Sequence, residues 1–358
     1  MPCLEAALAL YGALGTEPTA SRELSLPSSI IGAPLLTQPL TNRATEALCR
    51  GLLALAQLHA GQVHNSLGSG RRGLALAQES KNVWVEVIST FWLTYGLLDA
   101  GAYEEALMLT QHAVVLARRT FPRVVIWQDL LTALGSTFQA LQQWEEARSI
   151  LEEVEAVAET LGLGPYGVPT LSQLCMHYAL AGEWEAAYRY AVKAIALRKI
   201  SDAALILLDF SRQYETEALL RGGDERHARE AVQRLGEGLG SNRRFRLPYL
   251  RSLAILAEWE GHGEQAIDHL HEAAGLATDL GLPGERWQIQ AALGTVYEAA
   301  GDPAQARIAF AEAARIIQEL AEGIKDETLR ARFLAGPQIQ PVVQHARDLA
   351  NPVPQDDA

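Results

Sequence analysis

The sequence predicts an all-α fold: a right-handed α-α superhelix of about seven stacked helical hairpins, spanning residues 43–322 of the 358-residue chain. Three observations carry this. A small residue recurs at Ser66, Ala106, Ala147, Ala187, Ala228, Ala266 and Ala306, at spacings of 38 to 41 residues. Five residues before each stands a turn position, Gly61, Gly101, Gln142, Gly182, Gly223, Gly261 and Gly301, with glycine at all but one. Alanine, leucine, glutamate and arginine dominate, and the two-residue alternation of strands is absent. A fixed period of this length marks an array in which each unit buries its apolar face only by stacking on its neighbours. Such an array is expected to be one elongated domain with no single closed pocket.

Each part of the unit has a physical reason. The clearest copy reads Leu293-Gly294-Thr295-Val296-Tyr297, then Gly301-Asp302-Pro303, then Ala306, Phe310 and Ala313. The small residue early in the second helix lets the two helices of a hairpin cross closely. Glycine suits the turn because a helix C-cap goes left-handed there at little cost. Gln142 is the exception, and Gln142-Gln143-Trp144 must turn without glycine. After the turns come acidic residues, Glu104, Glu105, Glu145, Glu146 and Glu185, which complement the dipole of a starting helix. Asp302 reads as an N-cap with Pro303 at the first helical position. Phe138, Tyr178 and Tyr297 occupy the core aromatic slot of the first helix, Trp144 and Trp184 pack just after the turn, and Cys175 falls at a helix-crossing position.

This signature resembles the tetratricopeptide repeat, whose standard unit is about 34 residues. Units of about 40 residues add about one turn to each helix, at about 1.5 Å per residue. Longer units of this kind resemble the C-terminal arrays of MalT-like bacterial signalling ATPases and the arrays of kinesin light chains.

The two ends differ from the array. Residues 1–42 carry five prolines and read as a capping helix followed by an extended linker. The stretch from Ala9 to Leu24, with Leu14-Gly15-Thr16-Glu17-Pro18, resembles the end of the bacterial transcriptional activator domain of antibiotic-regulatory activators. Residues 323–350 read as a capping helix over the last repeat, as terminal repeats require. There, Lys325 to Leu334 resembles the closing segment of bacterial proteins that join a nucleotide-binding ATPase to a tetratricopeptide tail. Residues 351–358 are expected to be disordered.

A formal net charge of −13 disfavours direct nucleic-acid or anionic-membrane binding. Against it, Arg221, Arg226, Arg229, Arg234, Arg243, Arg244, Arg246 and Arg251 gather in repeats five and six. They read either as solvated helix faces or as an anion or acidic-partner patch. Three widely spaced cysteines imply neither a disulfide framework nor a metal site, and fit a reducing cytoplasm. No apolar run approaches the ~20 residues of a membrane span. No phosphate-binding loop of the G-x-x-x-x-G-K-[ST] type occurs, so the chain carries no ATPase site of its own. His269-Leu270-His271-Glu272 lacks the second histidine a zinc protease helix needs. The expectation is a non-enzyme without cofactor or metal.

In tetratricopeptide arrays the first helix of each hairpin lines the concave groove. Carried onto this sequence, the groove positions fall on Phe91, Tyr95 and Asp99, on Asp129, Ser136 and Gln139, and on Met176, Phe210, Gln213 and Glu217. They continue with Arg251, Glu258, Trp259, Thr295 and Glu298. Neutral polar groups beside aromatic faces suit peptides, sugars or other amphipathic ligands. The resemblance implies a sensor module of a MalT-like regulator that receives an inducer or protein partner and controls an ATPase or effector upstream or in trans. A protein scaffold holding a peptide or helix, and an array that self-assembles, are the two alternatives.

Overall fold

The computed structural model describes residues 41–120, 125–161, 167–201 and 208–350. The expected N-terminal capping helix, nearly all of the linker after it and the tail after residue 350 lie outside the described residues. Among those described there are sixteen helices and no strand. Seven hairpins pair α1 (Asn42–His59) with α2 (Val63–Ser80), α3 (Val83–Asp99) with α4 (Tyr103–Thr120), and α5 (Val125–Ala140) with α6 (Trp144–Leu161). Then follow α7 (Val168–Leu180) with α8 (Trp184–Ser201), α9 (Arg212–Arg221) with α10 (Glu225–Gly238), α11 (Arg243–Trp259) with α12 (Gly263–Leu280), and α13 (Pro283–Ala299) with α14 (Pro303–Gly323).

The local signals act as their chemistry dictates. The recurring small residues are 0–2% exposed, each sealed in its helix crossing. All seven turn residues adopt a left-handed backbone, Gln142 included at φ 61°. In each turn the next amide reaches back to a carbonyl five residues earlier, as Gln62 N to Gln57 O at 2.8 Å and Gln143 N to Phe138 O at 2.8 Å. These bonds satisfy carbonyls that the helix end leaves open.

The array is not open. The turn of hairpin one rests on hairpin six: a side-chain carbon at Gly61 would stand 2.4 Å from Leu280 Cδ2. His59 meets Phe245 edge-on at 5.5 Å. The turn of hairpin two rests on hairpin seven, where Gly101 faces Leu320 and Pro283. These contacts correct the expectation of an elongated array, while the interior they border stays open to solvent on one side. Curvature accumulated over five hairpins brings the coil round onto itself, and the first helices then enclose an interior.

The C-terminal segment completes the same offset against hairpin three. In place of one capping helix there are two, α15 (Glu327–Leu334) and α16 (Ile339–Ala350). They cover hairpin seven, with Phe333 and Ile339 buried among Ile316, Ile317 and Leu320. They also reach back across the coil. Glu104 accepts from Lys325 N at 2.6 Å, Arg332 pairs with Glu146, and Gln142 Oε1 accepts from Gln338 N at 3.1 Å. A side-chain carbon at Gly336 would collide with Gln142 Cβ at 2.3 Å. The one turn without glycine is therefore the one whose side chain docks the C-terminal segment.

Hairpin five departs from the pattern because its first helix, α9, has only ten residues. Phe210, placed by the repeat template on that helix, instead precedes it. A buried charge cluster ties α7 and α8 to α9 and to Asp209 just before it. Arg198 donates to Asp209 Oδ2 at 3.0 Å, to Glu215 Oε2 at 2.7 Å and to Ser172 Oγ at 2.9 Å. Arg212 lies 3.9 Å from Asp209, so two cations balance two carboxylates in a place where an unbalanced charge would be costly.

Candidate functional site: the superhelix interior

The inner helices α3, α5, α7, α9, α11 and α13, with Gln338 and Val342 at the C-terminal end, surround a cavity of about 350 Å³. Tyr95, Tyr103, Trp144, Phe210, Tyr214 and Trp287 give it aromatic walls. A charged network crosses one side. Arg244 donates to both oxygens of Asp99 at 2.8 and 3.0 Å and to Glu285 Oε1 at 3.0 Å. Arg251 donates to Glu285 Oε2 at 2.7 Å, and the Tyr214 hydroxyl donates to Gln288 at 2.9 Å. Arg244 also lies over the Phe210 ring at 4.3 Å. Burial raises the Asp99 pKa despite Arg244 beside it. Burial works the same way on Glu285, but Arg244 and Arg251 together hold it below the usual carboxylate value.

The network is neutral, so what remains to be satisfied is hydrogen bonding. Gln139, Gln173 and Gln213 are 4%, 8% and 2% exposed, and the side-chain oxygen of each has no partner. They stand on three successive inner helices, α5, α7 and α9. Arg244 Nη1 is a buried donor equally without a partner. Leaving such groups unpaired costs about 1–3 kcal/mol each.

A second space of about 560 Å³ continues the interior along α9, α11 and α13 and shares Gln213, Tyr214 and Arg251 with the first. Of the residues expected in the groove, Tyr95, Asp99, Ser136, Gln139, Met176, Phe210, Gln213 and Arg251 line the cavity. Glu217, Glu258, Trp259 and Thr295 line the continuation, again with Gln213 and Arg251. Phe91, Asp129 and Glu298 line neither. Phe91 packs on Tyr95 at 5.5 Å, Glu298 accepts from His345 at 2.7 Å, and Asp129 is half-buried with its pKa raised by burial to about 7.

The eight arginines do not form one patch. Arg244 and Arg251 face the cavity. Arg221 pairs with Glu217, Arg226 with Glu230, Arg229 with Glu225 and Glu260, Arg243 with Asp279 and Arg246 with Glu272. Arg234 is exposed, near Arg212 and His227. Helical turns of about 100° per residue distribute neighbours in sequence around the fold, and all but Arg234 pair with a carboxylate.

Sequence reasoning did not single out Gln173, Glu285, Trp287, Gln288 and Gln338, all on the cavity wall. The repeat template gives one register per helix, whereas closure brings the starts of α11 and α13 to the ends of α3, α5 and α7. Among the described residues no group of three or more potential metal ligands occurs, and no helix is long and apolar enough to cross a membrane.

No protein-family model matches the chain, and no curated protein matches it in sequence. Solved structures match it in fold. The APC/C hetero-tetramer Cut9–Hcn1 is similar at 14% identity and TM-score 0.52, over 88% of this chain and 58% of that one. A Rap protein complexed with Competence and Sporulation Factor is similar at 16% identity and TM-score 0.47, over 80% of this chain and 67% of that one. The apo form of RapI is similar at 15% identity and TM-score 0.45, over 81% of this chain and 98% of that one. The architecture of this chain is a tetratricopeptide-type α-α superhelix.

Proposed function

We propose that the protein is a non-enzymatic binding module that holds an extended peptide segment inside its superhelix. The observation that carries this is the row of three buried glutamine oxygens without donors on α5, α7 and α9. An extended peptide presents N–H donors at regular intervals, and its carbonyls suit the spare donor of Arg244. The aromatic walls supply apolar area for side chains. In the finer reading, the array is the receiving part of a cytoplasmic bacterial regulator of MalT-like type, with its effector upstream or in trans. The forty-residue units and the segment Lys325 to Leu334 support that reading by resemblance.

The test is a thermal-shift panel of sugars, nucleotides and short terminally blocked peptides, run on the full chain and on Gln173→Leu. Stabilisation by peptides that is lost in the variant is expected. Stabilisation by sugars or nucleotides instead, or a peptide effect that Gln173→Leu leaves intact, would overturn the assignment.

A further inference from the structure

We infer that the continuation of the cavity along α9, α11 and α13 is a recognition site for a basic side chain, a lysine or arginine carried by the bound peptide. The inference rests on the peptide reading above and deepens it. Its basis is the charge balance of that space. Glu217 is neutralised by Arg221 at 2.8 Å, whose guanidinium lies over Trp184 at 4.2 Å. Arg251 is neutralised by Glu285 at 2.7 Å. Among the described residues, Glu258 is the charged group of this lining that makes no hydrogen bond or close ion pair, the charge of Arg221 acting on it from farther off. Partial desolvation, followed by the charge of Glu217, raises its pKa, and the charge of Arg221 opposes that shift without cancelling it.

Beside Glu258 stands Trp259, 49% exposed, a large apolar surface left uncovered. The indole is not idle in orientation: its Nε1 donates to Glu225 at 3.0 Å, which fixes the ring plane. A carboxylate and an anchored aromatic face lining one space are the chemistry that recognises an ammonium or guanidinium group. Gln213 supplies an independent sign of a ligand. It is 2% exposed, its side-chain oxygen lacks a partner, and it lines both this space and the cavity. A peptide whose backbone meets Gln139, Gln173 and Gln213 thus continues past Glu258 and Trp259. The net charge of −13 draws a cationic ligand toward the whole molecule.

The experiment is selection of a phage-displayed random heptapeptide library on the full chain, repeated on Glu258→Lys. Glu258 is exposed, so neither this variant nor Glu258→Gln disturbs the core. The expected result is a consensus with lysine or arginine at one fixed position, replaced by aspartate or glutamate on Glu258→Lys. Glu258→Gln should weaken binding of the selected peptide about three- to fivefold, from the scale of an exposed ion pair, the contact with Trp259 being kept. A consensus without a fixed basic position, or one that Glu258→Lys leaves basic, overturns this inference and leaves the peptide reading standing. No enrichment of any peptide overturns both.

Discussion

Replacing Arg244 by methionine should unfasten the coil where hairpin two meets hairpins six and seven. Arg244 is 3% exposed and Asp99 10%, and three hydrogen bonds join Arg244 to Asp99 and Glu285. A pair of unit charges about 4 Å apart attracts by about 4 kcal/mol at an effective dielectric near 20. Most of that offsets desolvation while the pair is intact. In Arg244→Met the desolvation cost of Asp99 stays and the attraction goes, whereas Glu285 keeps Arg251. The expected loss is about 3–5 kcal/mol. The double variant Arg244→Met, Asp99→Leu should recover nearly all of it, because an apolar pair replaces the ionic one. Acid should also help the single variant. Without Arg244, burial and then the charge of Glu285 act unopposed on Asp99 and drive its folded pKa further above the unfolded value of about 3.9. An acid with a raised folded pKa is destabilising where ionised, and that cost fades as pH falls through the folded pKa toward the unfolded one. Urea denaturation at pH 7 and pH 4, with wild type at both, measures the difference, and small-angle scattering reports expansion of the coil. A loss under about 1 kcal/mol, a double variant no better than the single, or a loss unchanged by acid would refute the reasoning.

Three further outcomes follow from the same contacts. Gly61→Ala meets both a left-handed backbone at φ 76° and Leu280 at 2.4 Å, whereas Gly182→Ala meets the backbone cost alone. Denaturation should show about 1 kcal/mol lost at Gly182 and about 1–3 kcal/mol more at Gly61. Gln142→Gly relieves a left-handed non-glycine residue but removes the acceptor of Gln338 N and Trp144 Nε1. Hydrogen exchange should therefore speed up about tenfold across α15 and α16, with little change in the global melting point. Asp129→Asn should melt higher than wild type at pH 8, with the gap closing toward pH 4. Burial raises the Asp129 pKa to about 7, so its ionised form costs stability above that pH.

The parts of the fold legible in the sequence are those fixed within one hairpin. A helix crossing selects alanine at 106 and a left-handed turn selects glycine at 101 through contacts a few residues away, so the period is visible in one chain. Closure is not local. Asp99 and Arg244 are 145 residues apart, and their meeting depends on curvature summed over every intervening hairpin. Gln142 shows the boundary between the two cases. The sequence marks it as the turn without glycine, but its reason, Gln338, lies 196 residues on. The repeat template places Phe210 on a helix because it assumes full-length units. The buried charges of Arg198, Asp209 and Glu215, which instead set a short helix there, have no repeat signature.

Closure also carries a consequence for biosynthesis. Most repeat arrays are built from contacts between adjacent units, so each hairpin can fold against the one before it as it leaves the ribosome. Here Glu104 waits for Lys325, 221 residues downstream. At about 5–20 residues per second that is an interval of roughly 10–45 s. Until their partners are made, the turns at Gly61 and Gly101 and the walls of the future interior face solvent without Leu280, Leu320 and Phe333 to cover them. The half-made chain is therefore the form most exposed to misassembly and to chaperone capture, and synthesis of α14 to α16 ends that exposure.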